Sequence, residues 1–156
     1  MIQKTFFLLL LILSLGLNST LANNKLQSFS LAFLHDKNSN LSIDEVINKK
    51  FTLIPGQNSL SIHHDTVWYK VTLPSSVKHS QLNLHNELAY LSDHIEIYEL
   101  IEKTIVKNSF YLLDGNVANK MTGSTLVYPF STSPNKTKTI FIKNKALIHQ
   151  LIDIEI

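Results

Sequence analysis

From residue 51 to the C-terminus, apolar residues fall at every second position in short runs cut by turn residues. That period commits the chain to strands, because side chains of a strand alternate between two faces. In Thr66 to Leu73, Val67, Tyr69, Val71 and Leu73 share one face, and Thr66, Trp68, Lys70 and Thr72 share the other. Pro74 ends this run, since proline has no N–H to give to a ladder. Leu82 and Leu84 mark another strand. From His94 to Ile101, Ile95, Ile97 and Glu99 oppose His94, Glu96, Tyr98 and Leu100. Glu102-Lys103 reads as a tight hairpin connection into a strand from Thr104 to Leu113, and Asp114-Gly115 as a turn. Leu126 to Phe130 contains Pro129 and is expected at a sheet edge or bulge. Lys138 to Lys143 alternates again. In the last strand Ile148, Ile152, Ile154 and Ile156 line one face, against His149, Leu151, Asp153 and Glu155.

Before this region, Ser28 to Leu34 alternates weakly and reads as a first strand. One helix start follows. Ser42 stands three residues before Glu45, the spacing of a capping box, with Leu41 and Val46 at the flanking staple positions. Ile43, Val46 and Ile47 share a helical face, and Asn48-Lys49-Lys50 closes a helix of about two turns with charge suited to its C-terminus. Pro55-Gly56 is a turn. The sum is about eight short strands and one short helix, with no βαβ spacing. The fold class read from this is all-β: an antiparallel, jelly-roll-like β-sandwich with one concave outer face free to bind.

The N-terminus has a different grammar. Lys4 precedes a run from Phe6 to Leu17 that only Ser14 and Gly16 interrupt, and Ser19-Thr20-Leu21-Ala22 ends in a small residue. A charged start, an apolar core and a small-residue exit make a signal peptide of residues 1–22, with 23–156 as the mature domain. The apolar run is short for a membrane span, which takes about 20 residues; the alternative is an uncleaved anchor. A mature chain of this length buries roughly two-thirds of its unfolded surface and can fold without crosslinks. It must, because the chain has no cysteine. All 14 basic residues are lysine and the net charge is only +2. Without arginine there is no bidentate fork for bases or phosphates, which argues against a nucleic-acid partner.

The residues that could carry chemistry are few. Trp68 could stack on a sugar ring, although mid-strand tryptophan commonly fills a core. Tyr90, Tyr98 and Tyr128 could each present a hydroxyl to a ligand. These four form the candidate ligand-binding set. His63-His64-Asp65 suggests a metal, but no third ligand stands at a metal-site spacing, and His79, His85, His94 and His149 are scattered. No metal or other cofactor is expected. No G-x-S-x-G, H-E-x-x-H or P-loop motif occurs. The carboxylate pair Asp44-Glu45 belongs at a helix start, and Glu99 with Glu102 reads as solvated charge at a hairpin end. The chain is therefore read as non-catalytic, with no catalytic residues.

The mature chain also resembles a family. The features are the short helix before Phe51, the strand Val67-Trp68-Tyr69-Lys70-Val71 and the strand Leu91-Ser92-Asp93-His94-Ile95-Glu96-Ile97-Tyr98. Gly115, Tyr128-Pro129-Phe130 and Thr139-Ile140-Phe141-Ile142-Lys143 follow. Together they resemble the second extracellular region of bacterial seven-transmembrane receptors with diverse intracellular signalling modules, over roughly Phe29 to Ile156. The resemblance implies a periplasmic β-sandwich similar to carbohydrate-binding modules. Such a domain senses a carbohydrate or other small polar molecule for signal transduction. Three departures stand out. Lys70 replaces a frequent arginine, Ser59 and Ser61 stand where a glycine is usual, and the sequence ends at Ile156, where membrane helices would begin. The expectation is a periplasmic or extracellular sensing domain. The alternatives are a module docking on a membrane receptor, or a remnant of a truncated receptor gene.

Overall fold

A computed structural model describes residues 29–54, 66–78, 81–87, 89–101, 104–111, 120–146 and 151–155. The strands are β1 (Ser30–Asp36), β2 (Thr52–Leu53), β3 (Thr66–Leu73), β4 (Gln81–Glu87), β5 (Ser92–Ile101), β6 (Thr104–Tyr111), β7 (Met121–Thr122), β8 (Thr125–Ser131), β9 (Lys138–Ala146) and β10 (Leu151–Glu155). One α-helical turn, α1 (Ile43–Val46), lies between β1 and β2, and a 3-10 turn (Ala89–Leu91) lies between β4 and β5. Two sheets form. One has six strands in the order β2-β1-β3-β9-β5-β6, the other four in the order β10-β4-β8-β7. Every pairing is antiparallel. The expected all-β sandwich is the fold.

The alternation read from the sequence sets the core. Val67, Tyr69, Val71 and Leu73 of β3, Ile140 and Ile142 of β9, and Ile95 and Ile97 of β5 face inward. They meet Leu82, Leu84, Leu126, Tyr128, Phe130, Ile152 and Ile154 of the smaller sheet. Fully burying one such aliphatic side chain is worth about 1.5–3 kcal/mol. Pro129 pairs with Asn83 of β4 and lies beyond Thr125 and Leu126, the residues of β8 that β7 meets, so among the described residues this stretch of β8 is paired on one side, a place that suits a residue without an N–H. A hairpin not foreseen joins β7 to β8 through Gly123 and Ser124, with Gly123 at φ +62° in the first central position, the signature of a type II′ turn.

Two details depart from expectation. The helix is one turn long rather than two, because after Ile47 the chain tightens into an i→i+3 bond from Lys49 N to Val46 O. Glu99, read as a solvated hairpin charge, is buried. It shares the inward face of Ile95 and Ile97. There its carboxylate accepts hydrogen bonds from Lys138 Nζ and Tyr128 OH, each at 2.5 Å, and Asn108 Nδ2 donates to Tyr128 OH at 2.9 Å. The His63-His64-Asp65 run, His79, Asp114-Gly115, Ile148, His149 and the signal segment lie outside the described residues.

The opposite end of the sandwich is polar in a different way. Asn86 follows Leu82 and Leu84 on the inner face of β4, and Asn144 follows Ile140 and Ile142 on that of β9; both are buried. A bulge in β5 between Ser92 and His94 shifts the register. Ser92 thereby pairs opposite residue 146, two beyond Asn144, and is buried while Asp93 is exposed. Among the described residues, neither amide atom of either asparagine nor Ser92 Oγ has a protein hydrogen-bond partner.

Candidate functional site

The outer face of the six-stranded sheet carries the residues that the sandwich core does not use. Strand register arranges them in rows. Asp36, Thr66, Lys145, His94 and Tyr111 form one row across β1, β3, β9, β5 and β6. Leu34, Trp68, Lys143, Glu96 and Ser109 form the next, and Ala32, Lys70, Phe141, Tyr98 and Lys107 the third.

Half of this face is roofed. Ser42 Oγ accepts from Glu45 N, while Glu45 Oε2 accepts from Ser42 N, closing the capping box foreseen from the sequence. The box holds α1 so that Val46 packs with Trp68, Tyr98 and Phe141, and Leu41, Ile43, Ile47 and Phe51 fill the margin. The loop before α1 is tied to β1. Asp36 Oδ2 accepts from Leu41 N at 2.9 Å and from Trp68 Nε1 at 3.4 Å, and Asp36 Oδ1 from Asn40 N at 3.2 Å. Trp68 therefore has no exposed surface. It stacks on Tyr98 at 5.5 Å between ring centres, and Lys143 Nζ lies over it at 5.2 Å while donating to Leu41 O.

The other half is less covered: Lys107 and Tyr111 are exposed, around a Glu96 that is itself buried. Its carboxylate accepts from Tyr98 OH at 2.7 Å and is bonded closely by Lys107 Nζ; His94 Nε2 stands 3.8 Å away. Burial pushes the Glu96 carboxyl up, but the hydrogen bonds from Lys107 and Tyr98, with the charges of Lys107 and His94, outweigh it and hold the group below its ordinary 4.5. His94 is pushed below 6.5, first by burial; Glu96 opposes this, and Lys107 and Lys143 add to it. Burial, then the bond to Glu96, raises the Tyr98 hydroxyl far above its usual range. His94 lies flat on Tyr111, with ring centres 4.0 Å apart and planes 8° from parallel. Tyr111 itself is 52% exposed. The result is an exposed aromatic platform beside an anion and a set of lysine cations. It can stack on a flat or ring-shaped ligand and both donate and accept hydrogen bonds.

The four residues singled out from the sequence are not brought together. Trp68 and Tyr98 share the roofed outer face. Tyr128 points into the inter-sheet core, where burial and its bond to Glu99 raise its hydroxyl. Tyr90 is exposed on the 3-10 turn. Tyr111 and Lys107 were missed. Their strand was read correctly, but nothing local distinguishes an aromatic on an open sheet face from one under a roof. Among the described residues no group of three or more His, Asp or Glu could hold a metal ion, and no helix is long and apolar enough to cross a membrane.

The chain matches no curated protein. The family model described as 7TMR-DISM extracellular 2 matches residues 29–156, the whole of the β-sandwich just described. The chain therefore belongs to the 7TMR-DISM extracellular 2 family, the sensor-type extracellular domains of seven-transmembrane receptors.

Proposed function

We propose that this is a non-catalytic periplasmic sensing domain, exported by its first 22 residues and cleaved after Ala22. It binds a carbohydrate or other small polar ligand on the less covered half of its outer face. The observation that supports this is the exposed Tyr111 ring stacked on His94 beside Glu96 and Lys107. A sugar presents an apolar ring face edged with hydroxyls. The Tyr111 ring suits the former, and the Glu96 and Lys107 heads suit the latter. Tyr98 has a supporting role, holding Glu96 from below, and Trp68 underlies Lys143. Tyr128 and Tyr90 lie apart from this platform, and Tyr90 keeps a free ring.

The test is thermal denaturation against a library of sugars, amino acids and organic acids. A ligand that binds only the folded chain raises the melting temperature with concentration. The expected result is a saturable hit that is weakened at least tenfold by Tyr111→Ala and by Lys107→Ala. A flat response across the library overturns the ligand reading. It would favour a second one: docking on the periplasmic part of a membrane receptor. What favours docking is the sheet edge at β6, where Ile101, Val106 and Tyr111 are exposed on or beside a strand that ends the sheet.

A further inference from the structure

The two sheets have four strands at their edges: β2 and β6 in the larger, β10 and β7 in the smaller. An edge strand is a template for another chain, and folded proteins blunt it by shortness, charge, proline or a bulge. β2 and β7 are two residues long each. β10 has five residues, and Asp153 and Glu155 are among them. β6 is different. It is eight residues long, holds no proline, and follows β5 in unbroken register from Thr104 to Tyr111. Among the described residues no strand pairs with its far side. Its one charge is Lys107, which Glu96 already engages. Five large hydrophobic residues are exposed among those described, and three of them, Ile101, Val106 and Tyr111, lie on the β5–β6 hairpin.

The order of residues in β6 says which partner fits. When a strand pairs antiparallel with its own copy about a two-fold axis, each residue i meets j and each j meets i. Only registers that keep each face on its own side continue the sandwich, since a slip of one residue turns every side chain over. Among these, an axis at Lys107 sets the two lysines directly opposite each other, which is destabilising. An axis at Val106 or Ser109 pairs less of the strand. An axis at Asn108 pairs it from Ile105 to Tyr111. On the outer face Ile105 then meets Tyr111 of the copy, and Lys107 meets Ser109 of the copy. On the inner face Val106 meets Phe110 of the copy, and Asn108 meets itself. A β-branched residue against an aromatic is a favourable cross-strand pair. Ser109 stands opposite Glu96 on β5, so the copy's lysine joins the row that holds this carboxylate. Like charges are kept apart and a cation is brought toward an anion, twice over by symmetry.

We propose that β6 is a homodimer interface, at which two copies of this chain pair antiparallel about a two-fold axis at Asn108 and join their six-stranded sheets into one. The dimer does not depend on the ligand reading. It sets the Tyr111 ring of each copy beside Ile105 of the other, so the two outer faces run on side by side.

The purified protein is followed by sedimentation equilibrium up to about 1 mM, a range that reaches the weak association of so small an interface. The expected result is reversible passage from one chain to two. Ser109→Lys sets a lysine against Lys107 of the copy and should weaken the dimer about tenfold or more. It should leave the melting temperature of the single chain unchanged, because the new cation stands beside Glu96. Register is read by mild oxidation. The chain has no cysteine, so Asn108→Cys can crosslink only to its own copy. Directly opposite residues of an antiparallel pair have Cα atoms about 4.5 or 5.5 Å apart, within disulfide reach. Asn108→Cys should therefore give a covalent dimer. Val106→Cys, displaced along the strand from its own copy by about 13 Å, should not. A protein that stays a single chain throughout overturns the proposal and leaves the edge to a different protein. A dimer that Ser109→Lys leaves intact overturns it too, and so does one that Asn108→Cys fails to capture or that Val106→Cys captures as readily.

Discussion

The ion pair of Glu99 and Lys138 shows how much one side chain's partner decides. Both are about nine-tenths buried, and the carboxylate also holds Tyr128. Removing one partner leaves an uncompensated buried charge, a change that costs about 3–5 kcal/mol, while replacing both with apolar residues is often close to neutral. Lys138→Met is therefore expected to lower stability by about 3 kcal/mol in urea unfolding, and Glu99→Leu with Lys138→Met to recover most of it. A double variant as unstable as the single would show that the pair does more than satisfy itself. His94 and Glu96 make stability depend on pH. The folded His94 has a pKa below 6.5. As pH falls from about 6.5 toward that lower value, the unfolded chain takes up more protons and stability drops. Glu96 is held below 4.5, so its contribution is present above about 4.5 and is lost as pH falls through its folded value. Denaturant midpoints across this range should fall in two stages. His94→Gln should flatten the upper one and Glu96→Gln the lower one.

At the level of elements, α1 works as a lid on the single tryptophan. Its start was legible, since a capping box is a local pattern of side chain and backbone. Its length was not. Ile43, Val46 and Ile47 are β-branched and weak helix formers, and one turn is enough to set Val46 over Trp68. Ser42→Ala removes the cap, a change usually worth about 1 kcal/mol. It should speed hydrogen exchange at Val46 and Ile47 and make Trp68 fluorescence more sensitive to acrylamide, with little change in the global melt. Trp68→Ala is a different matter. The indole is fully buried in the second cluster, so its loss should cost about 3–5 kcal/mol, and a binding defect in that variant would report unfolding rather than a ligand contact.

For the whole molecule, long-range pairing dominates. β3 is hydrogen-bonded to β9, with Thr66 opposite Lys145 and Leu73 opposite Lys138, and β1 pairs with β3 across the intervening helix. Such topologies fold in milliseconds to seconds, roughly, because loop closure precedes the contacts that reward it. Stopped-flow refolding followed by Trp68 should fall in that range and be unaffected by reductant, as the chain has no cysteine. A microsecond phase accounting for the full amplitude would contradict the pairing.

What the sequence determined by itself is parity. Val67, Tyr69, Val71 and Leu73 had to share a face, as did Ile95, Ile97 and Glu99, because alternation is a property of an extended backbone and needs no partner. Strand identity, the Pro129 edge, the cap at Ser42 and the sandwich class all follow from local rules of this kind. Tertiary structure decided what stands opposite each face. The residues 41–51 roof one half of the outer sheet, which closes Trp68 and leaves Tyr111 open. Lys138, from a strand 39 residues away, neutralises Glu99. Parity says which side a residue is on; burial, pairing and the room for a ligand depend on which distant segment packs there.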